Sequence, residues 1–138
     1  MFDHCLYFNT TALARVLERE WTRAFKPFGL TPSQAFMLRA ILARPGLLQS
    51  ELARELVISR PTATRSLDGL QKLRLIDRRA TGGDGRECAV FPEPDALALH
   101  DELNAASGAV TARLKHLLEP EQFAAIVGSL KQARAAVV

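Results

Sequence analysis

Ser50-Glu51-Leu52-Ala53-Arg54-Glu55-Leu56-Val57-Ile58-Ser59-Arg60-Pro61-Thr62-Ala63-Thr64-Arg65 is the stretch from which the rest of the chain can be read. A short helix is predicted from about Gln49 to Leu56. Ile58-Ser59 begins another. The Ser59 hydroxyl can accept from a first-turn amide, and Pro61 is tolerated because first-turn amides lack a helical acceptor. Ala63, Leu67, Leu70 and Leu73 then recur at spacings of three and four, which turns them toward a core. Two short helices joined by a tight turn form a helix-turn-helix. In that motif the second helix enters the DNA major groove, with its N-terminal side chains nearest the bases. Ser59, Arg60, Thr62, Thr64 and Arg65 cluster at that end. Small hydroxyls permit close approach, arginines can grip guanine or phosphate with a planar fork, and the helix N-terminus itself favours an anion.

Downstream the periodicity changes. Leu75 to Arg79 reads as extended, Ala80 to Gly85 as a glycine-rich turn, and Glu87 to Phe91 as extended again, which makes a hairpin. Pro92 and Pro94 close the second strand. A long helix is expected from Ala96 to about Leu118, anchored by Leu97, Leu103, Val110, Leu114 and Leu117. Pro120 opens a last helix with an apolar stripe of Phe123, Ile126, Val127, Leu130 and Val137. Upstream, Thr10 to Phe25 is helical, with a start as early as Asp3 allowed, and Pro27 and Gly29 end it. Thr31-Pro32-Ser33-Gln34 is a capping-box pattern that opens the next helix, and Arg44-Pro45-Gly46 stops it. The fold class is therefore mainly α, a winged helix-turn-helix over residues 31–92 with a two-stranded wing, flanked by helices in 1–28 and 95–138.

The 138 residues and the balance of 48% hydrophobic to 24% charged residues suit a globular chain with a real core. No apolar run is long enough to span a bilayer, and the N-terminus lacks a basic-then-apolar leader, so a cytoplasmic protein is expected. Two cysteines do not make a disulfide framework. Charge is unevenly spread. Residues 54–87 carry eight basic and five acidic side chains, whereas residues 88–138 carry four basic and six acidic ones. A basic middle third suits phosphate contact.

These residues resemble the MarR family of transcription regulators. The likeness rests on Ser50 to Arg65, on Leu70-Gln71-Lys72-Leu73-Arg74-Leu75-Ile76-Asp77-Arg78-Arg79, on the wing-tip Asp84-Gly85-Arg86, and on Gly29-Leu30-Thr31-Pro32-Ser33-Gln34. It implies a homodimer built from the first and last two helices, with winged domains that straddle double-stranded DNA. It also implies that Arg86 meets the minor groove, oriented by Asp84. With Arg78 and Arg79 of the wing, these complete the expected DNA-contacting set. Two departures stand out. Val57 occupies a turn position where many such motifs place glycine, and a valine disfavours positive φ there. Phe91-Pro92-Glu93-Pro94-Asp95 replaces the usual end of the wing, leaving the register of the second strand open.

The resemblance further implies a cleft for a small aromatic or apolar effector between the terminal helices and the winged domain. Phe8, Arg15, Trp21, Arg39 and His100 are its candidates, the cationic ones to meet a carboxylate. Cys5 raises the alternative of a thiol-based redox sensor, although no aligned tyrosine partner is evident. Cys88, within a strand, reads as structural. His4, His100 and His116 are not spaced as a helical metal pair, so no metal and no other cofactor is expected. Gly82-Gly83-Asp84-Gly85 is not followed by a helix and makes a poor phosphate cradle. No nucleophile motif or paired carboxylate suggests an enzyme. The rival to a regulator is a winged-helix module for protein contact or an architectural dimer.

Overall fold

The structure is a computed structural model and describes residues 1–83 and 87–138. Among these residues six α-helices and one hairpin follow in the order α1 (Leu6–Phe25), α2 (Pro32–Ala43), α3 (Gln49–Glu55), α4 (Arg60–Lys72), β1 (Ile76–Ala80), β2 (Cys88–Pro92), α5 (Pro94–Leu118) and α6 (Pro120–Val137). A single turn of 3-10 helix, Lys26–Phe28, joins α1 to α2 and ends on Gly29 in the left-handed region.

Local chemistry fixes the helix ends. The capping box of α2 is complete: Thr31 Oγ1 accepts from the Gln34 amide at 3.2 Å, and Gln34 Oε1 accepts from the Thr31 amide at 3.0 Å. Ser59 caps α4, with its Oγ accepting from the Thr62 amide at 3.3 Å. Helix α1 starts at Leu6, earlier than Thr10, because Cys5 serves as its cap. Helix α5 starts at Pro94 rather than Ala96, with the proline in the first turn where its missing N–H is harmless.

Val57 does not reshape the turn. It takes the left-handed conformation at φ 56°, and the amides of Val57 and Ile58 bond to the carbonyls of Arg54 and Ala53. This is the reciprocal closure that glycine usually makes at a helix C-terminus. Arg74 repeats it after α4 at φ 61°, with the Arg74 and Leu75 amides bonded to Gln71 and Leu70.

The hairpin is antiparallel, and its register runs from Ile76 opposite Pro92 to Ala80 opposite Cys88. Pro92 is thus the last residue of the strand, not a residue beyond it. On its other side β2 meets the segment before α3: Leu48 bridges Ala89, the Val90 amide donates to Leu47, and the Gly46 amide donates to Val90.

One continuous core joins these parts. Phe25 of α1, Leu38 and Ile41 of α2, Leu52 of α3, Leu67 and Leu70 of α4, Val90 of β2 and Leu103 of α5 are fully buried in it. Helices α2 and α4 approach so closely that a Cβ added at Gly69 would lie 2.5 Å from Gln34 Nε2. Helix α6 contributes no fully buried residue: of its expected apolar stripe Phe123 and Ile126 are half-buried, while Val127, Leu130 and Val137 are exposed. Leu97 and Leu117 of α5 and Leu73 at the end of α4 are also exposed, contrary to the spacing argument.

Candidate nucleic-acid interface

Helix α4 turns Ala63, Ser66, Leu67 and Leu70 inward. The opposite side carries Arg60, Thr64, Arg65 and Asp68, all exposed. The first turn is ordered by its own side chains: Ser59 Oγ donates to Thr62 Oγ1 at 2.9 Å, and Arg65 Nη2 reaches Thr62 Oγ1 at 3.4 Å. Thr62 is therefore half-buried in local hydrogen bonding, while Arg60, Thr64 and Arg65 project. No acid pairs with Arg60 or Arg65 among the described residues. A helix N-terminus with unneutralised guanidinium groups is suited to phosphate and to the acceptor edge of guanine.

The two wing arginines have different surroundings. β1 alternates, so Ile76 and Arg78 share the inner face with Val90, and Asp77 and Arg79 share the outer one. Arg78 is only 18% exposed and lies against α4, where its Nη1 is 2.8 Å from Asp68 Oδ1 and its Nη2 donates to the Thr64 carbonyl at 3.3 Å. Its Nε is buried with no partner among the described residues. Arg79 is exposed, bonds to Asp77 Oδ2 at 3.0 Å, and stacks 4.0 Å over the Phe91 ring. Asp84 and Arg86, expected at the wing tip, lie outside the described residues. Glu87 fastens the hairpin to α3 by accepting from the Ser50 amide at 3.2 Å. The partnership of Arg78 with Asp68 and Thr64 was missed from sequence, although strict alternation from Ile76 already puts Arg78 on the core side.

The expected effector residues do not line one cleft together. A cleft of about 400 Å³ opens between α1, the start of α2 and the α3–α4 turn, lined among others by Leu17, Glu18, Trp21, Phe36, Leu56 and Ile58. Trp21 is in its wall, but Phe8, Arg15, Arg39 and His100 are not. Phe8 is exposed and stacks near Phe2, and Arg15 is exposed on α1. Arg39 belongs instead to a chain of hydrogen bonds across three helices. Trp21 Nε1 and Arg39 Nη1 both donate to Ser107 Oγ at 3.1 Å, and Arg39 Nε donates to Asn104 Oδ1 at 2.8 Å. His100 Nε2 is 3.3 Å from Asn104 Nδ2, which continues the chain. Burial lowers the pKa of Arg39 from its ordinary value, though a guanidinium stays charged at any physiological pH. Ser107 and Asn104 carry no motif that would have announced them.

Cys5 is exposed at the α1 cap and accepts from the Phe8 amide at 3.5 Å. Among the described residues no group of metal-ligating side chains forms, and no helix is long and apolar enough to cross a membrane.

This geometry defines a winged helix-turn-helix protein. The MarR family profile matches residues 28–87, from the end of the α1–α2 connection through the helix-turn-helix and β1. A MarR protein from Peptoclostridium difficile superposes with a TM-score of 0.87 at 18% identity, over 98% of this chain and 88% of that one. The DNA complex of MepR from S. aureus gives 0.85 at 18% identity, over 96% and 98%. A MarR-family protein from Listeria monocytogenes, complexed with 26mer DNA, gives 0.81 at 21% identity, over 96% and 88%. No curated protein sequence matches the chain.

Proposed function

We propose that the chain is a sequence-specific DNA-binding transcription regulator, a repressor that acts as a homodimer on a pseudo-palindromic operator. The observation that carries this reading is the outer face of α4, where Arg60, Thr64 and Arg65 project from a capped helix N-terminus and the two arginines have no acidic partner among the described residues. Two similar folds are described as DNA complexes, which supports the same use of this face. A twofold dimer places half-site centres about 10–11 base pairs apart or a multiple of that. Selection from a randomised DNA library, followed by salt titration on the selected site and on scrambled DNA, tests the reading. A selected palindrome held at least about a thousandfold more tightly than scrambled DNA is expected. Equal affinity for both would leave a protein-contact or architectural role in its place.

The dimer rests on uncovered apolar surface. Leu6, Tyr7 and Leu13 of α1, Leu97 and Leu117 of α5, and Val127 and Leu130 of α6 are exposed, and among the described residues α6 packs mainly on α5. Such stripes match an interface of more than about 2,000 Å² between the terminal helices of two chains.

The cleft favours a second element, release by a small ligand. Its walls are apolar and aromatic, and Leu56 and Ile58 flank the turn that sets the entry of α4. Glu18 is the one ionisable side chain in its lining, so the ligand is neutral or cationic rather than the carboxylate expected from Arg15, Arg39 or His100. Fluorescence titration of Trp21 with paired aromatic amines and aromatic acids checks this. Preference for the acids would overturn it.

A further inference from the structure

We infer that Arg78 is a positioning residue that locks the wing to the recognition helix and so sets how accurately the two read DNA together, rather than a residue that contacts phosphate itself. The inference rests on the DNA-binding reading above but concerns a different part of it. Arg78 stands at the middle of β1, on the face shared with Ile76 and Val90, and its side chain runs toward α4. There the planar fork has two acceptors on one helix, the Asp68 carboxylate at 2.8 Å and the Thr64 carbonyl at 3.3 Å. These residues are four apart, one helical turn, so one guanidinium clasps a full turn of α4.

That turn is the one that carries the projecting Thr64 and Arg65. The clasp therefore ties the base of the wing to the segment placed to read bases. Two features argue against a phosphate role. The side chain is largely covered, and its charge is matched by Asp68. Reaching a phosphate would require breaking both bonds to α4 and leaving Asp68 as a bare anion on the DNA-facing side. A two-stranded hairpin is marginal alone and takes its orientation from what it packs on. Ile76 fixes the inner end of this hairpin, and Arg78, opposite the buried Val90, is the next residue outward on the same face.

The test uses the full chain with Arg78→Ala, Arg78→Lys and Asp68→Asn. In the DNA-free protein, hydrogen exchange compares the β1–β2 ladder with the core of α2. Both Arg78→Ala and Asp68→Asn should speed exchange in the ladder and spare α2. Unchanged exchange in both variants would overturn the clasp whatever happens on DNA. Salt titrations on selected and scrambled DNA follow. A positioning role predicts that Arg78→Ala keeps the salt slope and lowers the ratio of specific to scrambled affinity by about tenfold, the weight of one misread base pair. Asp68→Asn should lower the same ratio without weakening binding to scrambled DNA, because it removes an anion. Lysine at 78 should not restore the ratio, since a single ammonium cannot hold both acceptors in the fork geometry. A phosphate contact gives the opposite pattern: Arg78→Ala would weaken both DNAs alike and reduce the slope by about 0.9 per protomer, and Asp68→Asn would leave the ratio unchanged. If the native protein shows no preference for a selected site, the DNA reading falls, and the exchange experiment alone decides the clasp.

Discussion

Val57→Gly should make the protein more stable. Val57 closes α3 in the left-handed region at φ 56°, where its Cβ crowds the following carbonyl, and it is β-branched as well. Strain of this kind costs about 1–3 kcal/mol. Two effects oppose its relief. Glycine has more freedom to lose on folding, about 0.5–1 kcal/mol. Val57 is also 62% exposed, so it withdraws only about a third of its surface from water, worth about 0.5–1 kcal/mol if full burial of a valine is worth about 1.5–3. The balance favours glycine by about 0.5–1 kcal/mol, which is about 2–4 °C in Tm for a chain of this length. The amides that bond to Arg54 and Ala53 are backbone groups and survive the change. Arg74→Gly is the internal control. Arg74 has the same geometry at φ 61° without the β-branch, so its replacement should shift Tm less than that of Val57. Thermal and urea unfolding at one fixed protein concentration measure both, since a dimer's Tm depends on concentration. Loss of more than about 0.5 kcal/mol on Val57→Gly would refute the strain argument and mean that the valine side chain does more at this turn than its exposure indicates.

Gly69→Ala should be close to neutral alone, because the helix gain of about 1 kcal/mol is offset when the new methyl displaces the Gln34 amide and with it the α2 capping box. In a Gln34→Ala background the same change should stabilise, and additive unfolding energies across this double-mutant cycle would refute the contact. Arg65→Ala should cost about 1–3 kcal/mol of operator affinity and relax one operator position, as read by competition against single-base variants. A uniform loss on every sequence would assign Arg65 to phosphate. Leu117→Glu with Leu130→Glu should yield monomers by sedimentation and abolish tight operator binding, and an unaltered dimer would place the interface elsewhere. Cys5→Ser should bind and release DNA as the native protein does under peroxide, and protection of the variant alone would favour the redox reading.

The helix-turn-helix was legible because its signals are local. Ser59, Thr31 and Gln34 act on backbone amides three residues away, and the sequence carries that distance directly. The terminal helices were legible as helices, yet their burial was not. Leu73, Leu97 and, on α6, Val127, Leu130 and Val137 obey helical spacing and remain exposed, since periodicity identifies an apolar face without saying what covers it. Val57 was misjudged for a related reason. Propensity disfavours valine at positive φ, but Leu52, Ala53 and Ile58 are held by the shared core, and the turn between them has little freedom to differ. The surroundings of Arg39 were not legible because its partners are remote in sequence: it meets Asn104 and Ser107 across more than sixty residues.

The basic middle third also changes meaning once its partners are known. Arg78 and Arg79 belong to the positive block, yet each is matched by an aspartate of the same block, Asp68 and Asp77. Among the described residues, Arg54, Arg60, Arg65, Lys72 and Arg74 are the exposed cations of that block without an acidic partner. Four of these five lie on α4 or at its C-terminal turn, so the field offered to DNA comes from the recognition helix more than from β1. Charge counted along the sequence mixes two roles that the fold separates. Some arginines present charge to a ligand, and others use their fork to fasten one element to another, as Arg39 does between α2 and α5 and Arg78 does between β1 and α4. Only the first kind releases counterions when DNA binds, so a salt titration counts the first kind and is blind to the second. The second kind shows in the accuracy of reading, because a wing and a helix that move independently can each keep their contacts while losing the fixed spacing that makes the pair selective.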